Sequence, residues 1–511
     1  MSSNTKLDQR EIDLVVQLLN KKKFKDAKFK VNDLIKKDPG IFFLYNLLGI
    51  ILSEEKNINE AIVQFKKAIQ LNSNYPEAYN NLGIAFFKIK EYENAKHNYE
   101  KAISLKPGFF EAHNNLGAIY RKKLNFDEAV NCYNKSIQLN QKFLDPYINL
   151  GNIFNEYGKF DDARKIFLKV IELNPNYSKG YSGIGRSLKN LGNIQQAIEN
   201  YEKAIQLEPN NPEAYNNLGV ALRNQDKLEE AIENYKKAIQ IDPKFSQAYY
   251  NLGVSYQAKY KLDDAIDFYK KTLEIDSEYL PARSNLIYVQ NYSLKYNSDD
   301  YLDHAKKFYA SLKKIDEKEF EKFQFEKKPN KLRIGFVSGD FRKHPVGYIL
   351  KNILGILKNS SLEIYAYSNS LDNDDLTEEL KSEFKKWNDI SFKNDIMIIN
   401  KIRSDKINIL FDLSGYTGNN KLSIFINKPA PIQITWLGCL SSTGIPEIDY
   451  IIGDPYTFPK DLKQNFTEKI WRFPEVLLCY SKPSLDLLIN DLPALKNNFI
   501  TFGCFSNPLK I

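Results

Sequence analysis

A histidine in one short loop has the chemistry of an acid–base catalyst. His344 lies in SGDFRKHPVG at 338–347, between an apolar run and a helical pattern. An imidazole titrates near neutral pH, and a rigid loop can hold it against a reacting hydroxyl, as general base catalysis requires. Two further loops, SGYTGNN at 414–420 and GCLSSTG at 438–444, are rich in small and hydroxyl-bearing residues. His344 is therefore the catalytic candidate, and a structural role for this loop histidine is the alternative.

Short β-rich runs place these loops at the ends of strands. Helical patterns at Tyr348–Leu357 and Ile396–Asp405 lie between several of the runs. This alternation predicts a mostly parallel sheet with helices on its faces, a Rossmann-like α/β lobe whose ligands bind beyond the carboxyl ends of the strands. The runs are LRIGFVSGD at 332–340, LEIYAYS at 362–368, INILFDLSG at 407–415, IQITWLG at 432–438 and IDYIIGD at 448–454.

A 34-residue repeat occupies the first half of the chain. Glycine recurs at this step seven times and alanine eight times, as small residues would where the two helices of each repeat cross closely. The period predicts an α solenoid of about eight tetratricopeptide (TPR) repeats over 1–280, with a long concave face, followed by the α/β lobe. The glycines are Gly49, Gly83, Gly117, Gly151, Gly185, Gly219 and Gly253; the alanines are Ala27, Ala61, Ala95, Ala129, Ala163, Ala197, Ala231 and Ala265.

A line of asparagines follows the same period. Asparagine forms helices poorly, so its repetition at a helical position calls for a reason. Its amide donates and accepts hydrogen bonds, and it would hold an extended polypeptide along the inner surface without reading side chains. The alternative is that asparagine is simply common in such repeats. Gly183 and Leu47 interrupt the line, whose members are Asn81, Asn115, Asn149, Asn217 and Asn251.

Composition narrows the function classes. The chain has 511 residues, 43% of them hydrophobic, and its net charge of +8 comes from interleaved Lys and Glu, which is typical of solvated helix faces. Neither a nucleic-acid-binding surface nor a membrane span is expected. The four cysteines are widely spaced and form no CxxC pair, which argues against disulfides and a zinc site. A polar N-terminal segment makes a cytoplasmic location the expectation, and 281–330 is predicted as a helical linker.

The motifs, taken in order, resemble a known family. FVSGDFRKHPVGYIL, DLSGYT, KPAPIQITWLGCLSSTGIPEIDYIIGD, RFPEVLLCY and FITFGCFSNPLKI are similar to segments of the TPR-containing O-linked N-acetylglucosamine transferases, including bacterial and SPINDLY-like members. The resemblance implies a two-lobed GT-B fold, with 331–498 as its N-terminal lobe and 499–511 as the first strand of the C-terminal lobe. It also implies transfer of GlcNAc from UDP-GlcNAc, or of fucose from GDP-fucose, to Ser or Thr of intracellular proteins bound along the repeats.

The same resemblance assigns residues to the cleft. His344 matches the histidine proposed in the family as a base or as a group that positions the acceptor. Further residues are implied near the sugar, with turn formation as their alternative role: Gly415, Tyr416, Thr417, Gly438 and Thr443. The implied reaction needs neither a metal nor a cofactor besides the nucleotide sugar. The nucleotide pocket belongs to the C-terminal lobe in this family, so no donor-binding residue is named, and a non-catalytic TPR scaffold or a truncated fragment is the competing interpretation.

Overall fold

The computed structural model describes residues 9–293, 295–312, 331–358, 360–370, 372–461 and 465–475. Two compact units make up the chain, Met1–Glu208 and Pro209–Ile511. The first unit consists of helical repeats, and the second joins further repeats to a parallel sheet. The predicted strand at 499–511 lies outside the described residues.

Paired helices form the repeats in both units. Each pair occupies one 34-residue period, as predicted. The first unit contains α1 (Gln9–Asn20), α2 (Phe24–Lys37), α3 (Phe42–Glu54), α4 (Ile58–Leu71), α5 (Pro76–Lys88), α6 (Tyr92–Leu105), α7 (Phe110–Lys122), α8 (Phe126–Leu139), α9 (Asp145–Glu156), α10 (Phe160–Leu173), α11 (Ser178–Asn190) and α12 (Ile194–Leu207). The second continues with α13 (Pro212–Arg223), α14 (Leu228–Ile241), α15 (Ser246–Ala258), α16 (Leu262–Ile275), α17 (Leu280–Gln290) and α18 (Ser298–Ser311).

The recurring small residues let the paired helices approach each other. A Cβ placed on Gly83 would lie 2.6 Å from a ring carbon of Tyr99, so only glycine leaves room for that fully buried ring. Ala95, on the same second helix, is also completely buried. The repeating glycine therefore accommodates an aromatic side chain, and the prediction that small residues mark the helix contacts is confirmed.

A left-handed residue ends the first helix of each repeat. At Leu124, for example, φ is 61°, and the next amide, Asn125 N–H, donates to the carbonyl oxygen of Tyr120 at 2.9 Å. This hydrogen bond closes the helix in the manner of a Schellman turn, where glycine is the favoured residue. Only two repeats use glycine there; the positions are Lys22, Lys56, Lys90, Leu124, Gly158, Gly192, Asp226 and Tyr260.

Seven parallel strands form one sheet in the second unit, in the order β3-β2-β1-β4-β5-β6-β7. Four helices connect the first five strands. The strands are β1 (Arg333–Ser338), β2 (Glu363–Ser368), β3 (Lys386–Asp389), β4 (Ile409–Asp412), β5 (Ile432–Thr435), β6 (Tyr450–Gly453) and β7 (Lys469–Arg472); the helices are α19 (Pro345–Lys358), α20 (Asp375–Glu383), α21 (Asp395–Ser404) and α22 (Leu422–Phe425).

Each face of the sheet has its own hydrophobic core. On one face, Phe336 of β1 packs with Leu350 and Leu354 of α19. On the other face, its neighbour Val337 belongs to a cluster that includes Ile287 of α17 and Phe308 of α18. Side chains alternate between the two faces of a strand, so both faces of β1 are buried. The helices at the start of the predicted 281–330 linker thus contribute to the core of the sheet, and 313–330 lie outside the described residues.

The predicted α/β lobe is confirmed, with two strands and two helices, α20 and α22, beyond those named from the sequence. The five predicted runs correspond to β1, β2, β4, β5 and β6, and the two helical patterns to α19 and α21. The missed strands have the sequences KWND and KIWR, whose charged ends and four-residue length gave no clear strand signal.

Candidate active site

The loops that carry the predicted site residues leave the sheet where its strand order reverses. From β1 the chain proceeds to β2 and β3 on one side, and then returns to place β4 on the other side of β1, with β5 next to β4. Loops that diverge at such a switch point leave a crevice in which ligands bind. The loops after β1, β4 and β5 are the three that the sequence singled out.

His344 lies in the first of these loops, directly before α19. The N–H of Val346 donates to its Nδ1 at 3.3 Å, and Oδ2 of buried Asp340 lies 3.8 Å from the same nitrogen. When Nδ1 accepts the hydrogen bond from Val346, the neutral imidazole must carry its proton on Nε2. The Asp340 carboxylate favours the other arrangement, in which Nδ1 carries a proton. The side chain is 37% exposed, so a ligand can reach it. This geometry suits a group that donates from Nε2 or exchanges a proton.

Two hydrogen bonds and one close backbone approach fix the path of the loop that carries His344. The N–H of Asp340 donates to Oγ of Ser338 at 2.9 Å, and Nη1 of Arg342 donates to Oδ2 of Asp372 at 2.5 Å. A Cβ on Gly347 would lie 2.2 Å from the carbonyl oxygen of Arg342. The loop therefore folds back on α19 so closely that only glycine fits at that point.

A buried carboxylate organises the loop after β4, and sequence reasoning did not identify it. Asp412 is the last residue of the strand and is 1% exposed. It accepts hydrogen bonds from the N–H groups of Ser414 and Gly415, at 3.1 and 3.0 Å, and from the hydroxyl of Thr435 at 2.9 Å. Burial raises the pKa of Asp412 to about 6, and these three hydrogen bonds oppose the rise. The signal available in the sequence was an aspartate that ends an apolar strand.

The loops after β4 and β5 interlock through two glycines. Gly415 has φ of 53°, and a Cβ there would lie 2.7 Å from Cβ of Cys439. A Cβ on Gly438 would lie 2.2 Å from the carbonyl carbon of Ser414. Both predicted residues therefore act as close-packing points between the two loops.

Tyr416 and Thr443 also hold these loops together. Tyr416 is 1% exposed, its ring meets Tyr301 and Phe308 edge-on, and its hydroxyl donates to the carbonyl oxygen of Thr443 at 2.5 Å. Burial raises the pKa of Tyr416 well above its usual value. Thr443 in turn donates to the buried Glu468 through its N–H, at 2.7 Å, and through its hydroxyl. Burial also raises the pKa of Glu468, a second residue that sequence reasoning missed.

Thr417, the remaining predicted residue near the sugar, borders a groove of about 350 Å³. The groove lies between α15, α17 and the loop after β4. Within it, Asn420 Nδ2 donates to Oγ of Ser284 at 3.0 Å, and Asn285 Nδ2 donates to the hydroxyl of Tyr250 at 3.3 Å. Thr417 and His344 are thus the predicted residues with accessible side chains, whereas the other four are packed within the loops.

The asparagine line has a role inside the repeats. Four of its five members donate an amide N–H to an asparagine of the preceding repeat, 35 residues earlier. In three cases the acceptor is the first residue of an Asn-Asn pair, and in the fourth, Asn46, it precedes Leu47. Each amide nitrogen has a second hydrogen, so use by a bound peptide stays a prediction. The pairs are Asn81 to Asn46 at 3.0 Å, Asn115 to Asn80 at 3.0 Å, Asn149 to Asn114 at 2.9 Å and Asn251 to Asn216 at 2.8 Å.

The described residues contain neither a metal-binding cluster nor a membrane-spanning helix. No group of three or more His, Cys, Asp and Glu side chains is placed to hold a metal ion within these ranges. Among the helices of the same ranges, none is both long enough and apolar enough to cross a membrane.

Known protein families match both the segment that contains the sheet and the helical repeats. The model described as "Glycosyl transferase family 41" matches residues 296–481, the segment that holds the sheet and its loops. The chain carries a family 41 glycosyl transferase domain. Models of the tetratricopeptide repeat match 49–90, 76–109, 110–143, 144–177, 185–226, 221–259 and 246–279. The predicted fold class and family resemblance are thereby confirmed.

Relatives of the family 41 domain share part of their length with this chain. It is 39% identical over 184 residues to the probable UDP-N-acetylglucosamine–peptide N-acetylglucosaminyltransferase SPINDLY of Oryza sativa subsp. japonica, covering 35% of this chain and 20% of the relative. The protein of the same name from Petunia hybrida is 33% identical over 235 residues, covering 45% and 25%. The chain thus spans about a fifth to a quarter of the length of these curated relatives.

A solved structure shares the fold. A mutant of Thermobaculum terrenum O-GlcNAc transferase superimposes with a TM-score of 0.54 at 28% sequence identity, covering 60% of each chain. This likeness agrees with the arrangement of helical repeats and a Rossmann-like lobe.

Proposed function

We propose that this chain acts as a protein O-glycosyltransferase, which transfers GlcNAc from UDP-GlcNAc to Ser or Thr hydroxyls of proteins held along its TPR repeats. The observation that carries the proposal is the convergence of the loops after β1, β4 and β5 at the switch point of a family 41 domain. The names of these relatives support UDP-GlcNAc as donor. Reduced cysteines such as Cys132 and Cys439 are consistent with a cytoplasmic setting.

The proposed reaction is a displacement at the sugar. The acceptor oxygen attacks the anomeric carbon, the bond from that carbon to the diphosphate breaks, and UDP leaves with the electron pair. We assign the acceptor hydroxyl to His344, which either takes up its proton or orients it through Nε2–H. The loops after β4 and β5 pack tightly on each other through Gly415 and Gly438, and preorganised walls of this kind lower the cost of positioning the reactants. None of the described residues is assigned to the nucleotide.

Radiolabelled UDP-GlcNAc, incubated with the full chain and cell-extract proteins, tests this proposal. We expect transfer to protein, reduced by about 10²-fold or more in His344→Ala, which removes the imidazole. His97→Ala, a histidine of α6 in the first unit, is the matched control and should retain activity.

This assay tests the identity of the sugar donor separately from the class of reaction. Transfer from labelled GDP-fucose but not from UDP-GlcNAc replaces the donor and keeps the reaction class. Transfer from neither donor, by protein with native tryptophan fluorescence, removes the enzymatic proposal.

The second candidate is a non-catalytic TPR scaffold. It is favoured by the packing roles of four predicted sugar-proximal residues, Gly415, Tyr416, Gly438 and Thr443. Calorimetry separates the two candidates, since a scaffold binds protein through its repeats without binding either nucleotide sugar.

A further inference from the structure

Two groups compete for Nδ1 of His344. One is the N–H of Val346, at 3.3 Å, and the other is Oδ2 of Asp340, at 3.8 Å. The hydrogen bond from Val346 places the proton of the neutral ring on Nε2, whereas a hydrogen bond to Asp340 holds that proton on Nδ1. The outcome of this competition decides whether Nε2 presents a proton or a lone pair to a ligand.

The carboxylate of Asp340 has the stronger claim on Nδ1. Asp340 is buried, and its backbone N–H donates to Oγ of Ser338 at 2.9 Å, which fixes the residue within the loop. Nη2 of Arg342 lies 3.5 Å from Oδ1, the carboxylate oxygen that is not the one nearest the histidine. A hydrogen bond to a carboxylate is about twice as strong as a neutral one, and the contact from Val346 joins two neutral groups at a long distance. We therefore expect Nδ1 to donate to Asp340.

Other charged side chains of this region pair with one another. A cation that is paired with its own carboxylate contributes little net field at the imidazole, so Asp340 dominates the electrostatics at Nδ1. Asp374 also accepts a hydrogen bond from the backbone N–H of Lys343, at 2.7 Å. The pairs are Arg342 with Asp372, at 2.5 Å, and Lys343 with Asp375, at 2.6 Å.

We propose that Asp340 is a positioning residue, which keeps the proton of neutral His344 on Nδ1 and thereby makes Nε2 a general base. This inference rests on the glycosyl transfer proposed above and names the role of His344 in it. The acceptor hydroxyl passes its proton to Nε2 while its oxygen bonds to the anomeric carbon and the bond from that carbon to the diphosphate breaks. The imidazolium that results carries a proton on each nitrogen, and the Asp340 carboxylate stabilises its charge.

The distance between the two side chains is compatible with this role. A hydrogen bond from a charged nitrogen to a carboxylate is about 2.8 Å long, so Nδ1 and Oδ2 must approach by about 1 Å. Catalytic hydrogen bonds are often long in the free enzyme and shorten when the reactants bind.

Nitrogen NMR of the full chain, labelled with ¹⁵N-histidine, reads the position of the proton directly. The sequence has four histidines, and His344→Ala identifies the signals of His344. We expect neutral His344 to carry its proton on Nδ1 in wild type. Asp340→Asn should move the proton to Nε2 and lower the pKa of His344 by about one pH unit, because the neighbouring negative charge is lost. Asp389→Asn, the same change at the exposed end of β3, is the matched control and should alter neither property.

Steady-state kinetics of transfer to protein provide a second readout. Asp340→Asn should lower kcat at least tenfold and change KM less than threefold, because a misplaced proton affects the chemical step and leaves substrate binding intact. Asp389→Asn should keep both constants within twofold of wild type.

The outcomes separate this inference from the proposed function. The inference is refuted if neutral His344 of wild type carries its proton on Nε2, a result that needs no variant to fold. It is also refuted if Asp340→Asn changes neither the proton position nor kcat, even where transfer by wild type is observed. If the proton moves and kcat does not change, the role of Nε2 as base is wrong. If neither donor supports transfer, the base role fails together with the proposed function, whereas the NMR result still shows whether Asp340 determines the proton position.

Discussion

Replacing Asp412 by asparagine should change how the stability of the sheet lobe depends on pH. This carboxylate is buried at the end of β4, and no described basic side chain pairs with it; its partners are two backbone N–H groups and the hydroxyl of Thr435. Burial disfavours the charged form, and these hydrogen bonds recover part of the loss. Asparagine cannot ionise, so Asp412→Asn removes this titration from the lobe.

The pKa of Asp412 determines how much its ionisation changes the free energy of unfolding. With an ordinary pKa of 3.8 in the unfolded chain and about 6 in the fold, ionisation of Asp412 lowers the free energy of unfolding by about 3 kcal/mol at neutral pH. Because the folded pKa is the higher one, this contribution to stability is complete below 3.8 and is lost as the pH rises through 6. Between about pH 5 and pH 7.5 the loss amounts to about 1 kcal/mol.

The chain provides a local probe for this measurement. Its three tryptophans, Trp387, Trp436 and Trp471, all lie in or directly after strands of the sheet, so urea unfolding followed by tryptophan fluorescence reports on the lobe. On going from about pH 7.5 to pH 5, the free energy of unfolding of wild type should change by about 1 kcal/mol more in the stabilising direction than that of Asp412→Asn.

Other titrating groups cancel in this comparison. Burial raises the pKa of Glu468 and lowers the pKa of His304, so on acidification these two groups change the free energy of unfolding in opposite directions. Both groups are present in wild type and in the variant, and their effects therefore cancel in the difference. Asp389→Asn, at an exposed position that ends β3, is the matched control and should follow wild type. If wild type and Asp412→Asn change in parallel between the two pH values, the buried carboxylate does not destabilise the fold and the reasoning is wrong.

Three substitutions test packing, one in the second unit and two in the first. Tyr416→Phe removes the hydroxyl that donates to Thr443 and should lower the free energy of unfolding, measured by tryptophan fluorescence, by about 1 kcal/mol; an unchanged value would mean that this hydrogen bond does not stabilise the loops. Leu124→Gly relieves a left-handed backbone and should raise stability by about 0.5 to 1 kcal/mol in urea unfolding followed by circular dichroism, whereas Gly158→Ala at the equivalent turn should lower it by about 1 kcal/mol. The opposite order would contradict the turn geometry.

Periodic and regular features of the fold were readable in the sequence. The 34-residue step located the repeats because one contact, a glycine against a large ring, recurs at seven helix pairs, from Gly49 to Gly253. The apolar runs placed β1, β2, β4, β5 and β6, since strands buried on both faces need continuous apolar residues. KWND and KIWR were missed because they are short strands toward the two edges of the sheet, where partial exposure permits charged side chains.

The candidate site was predicted at the level of loops and less well at the level of side chains. His344 was accessible to sequence reasoning because a histidine before a helix is conspicuous. Asp412 and Glu468 were missed because their burial depends on strands brought together from distant parts of the chain. For the same reason, composition alone could not separate a tyrosine that lines a cleft from one that is enclosed, as Tyr416 is.

The amide pairs between repeats imply that the solenoid can be shortened by one complete 34-residue repeat at a time. Removing residues 81–114 from the first unit would join Asn80 to Asn115, and Asn115 would then stand 35 residues after Asn46, where Asn81 stands now. Asn149 would in turn find Asn80 at the same distance, so every remaining amide keeps a partner of its own kind. The deletion would therefore keep the 34-residue register of the solenoid and the amide pairs that follow it.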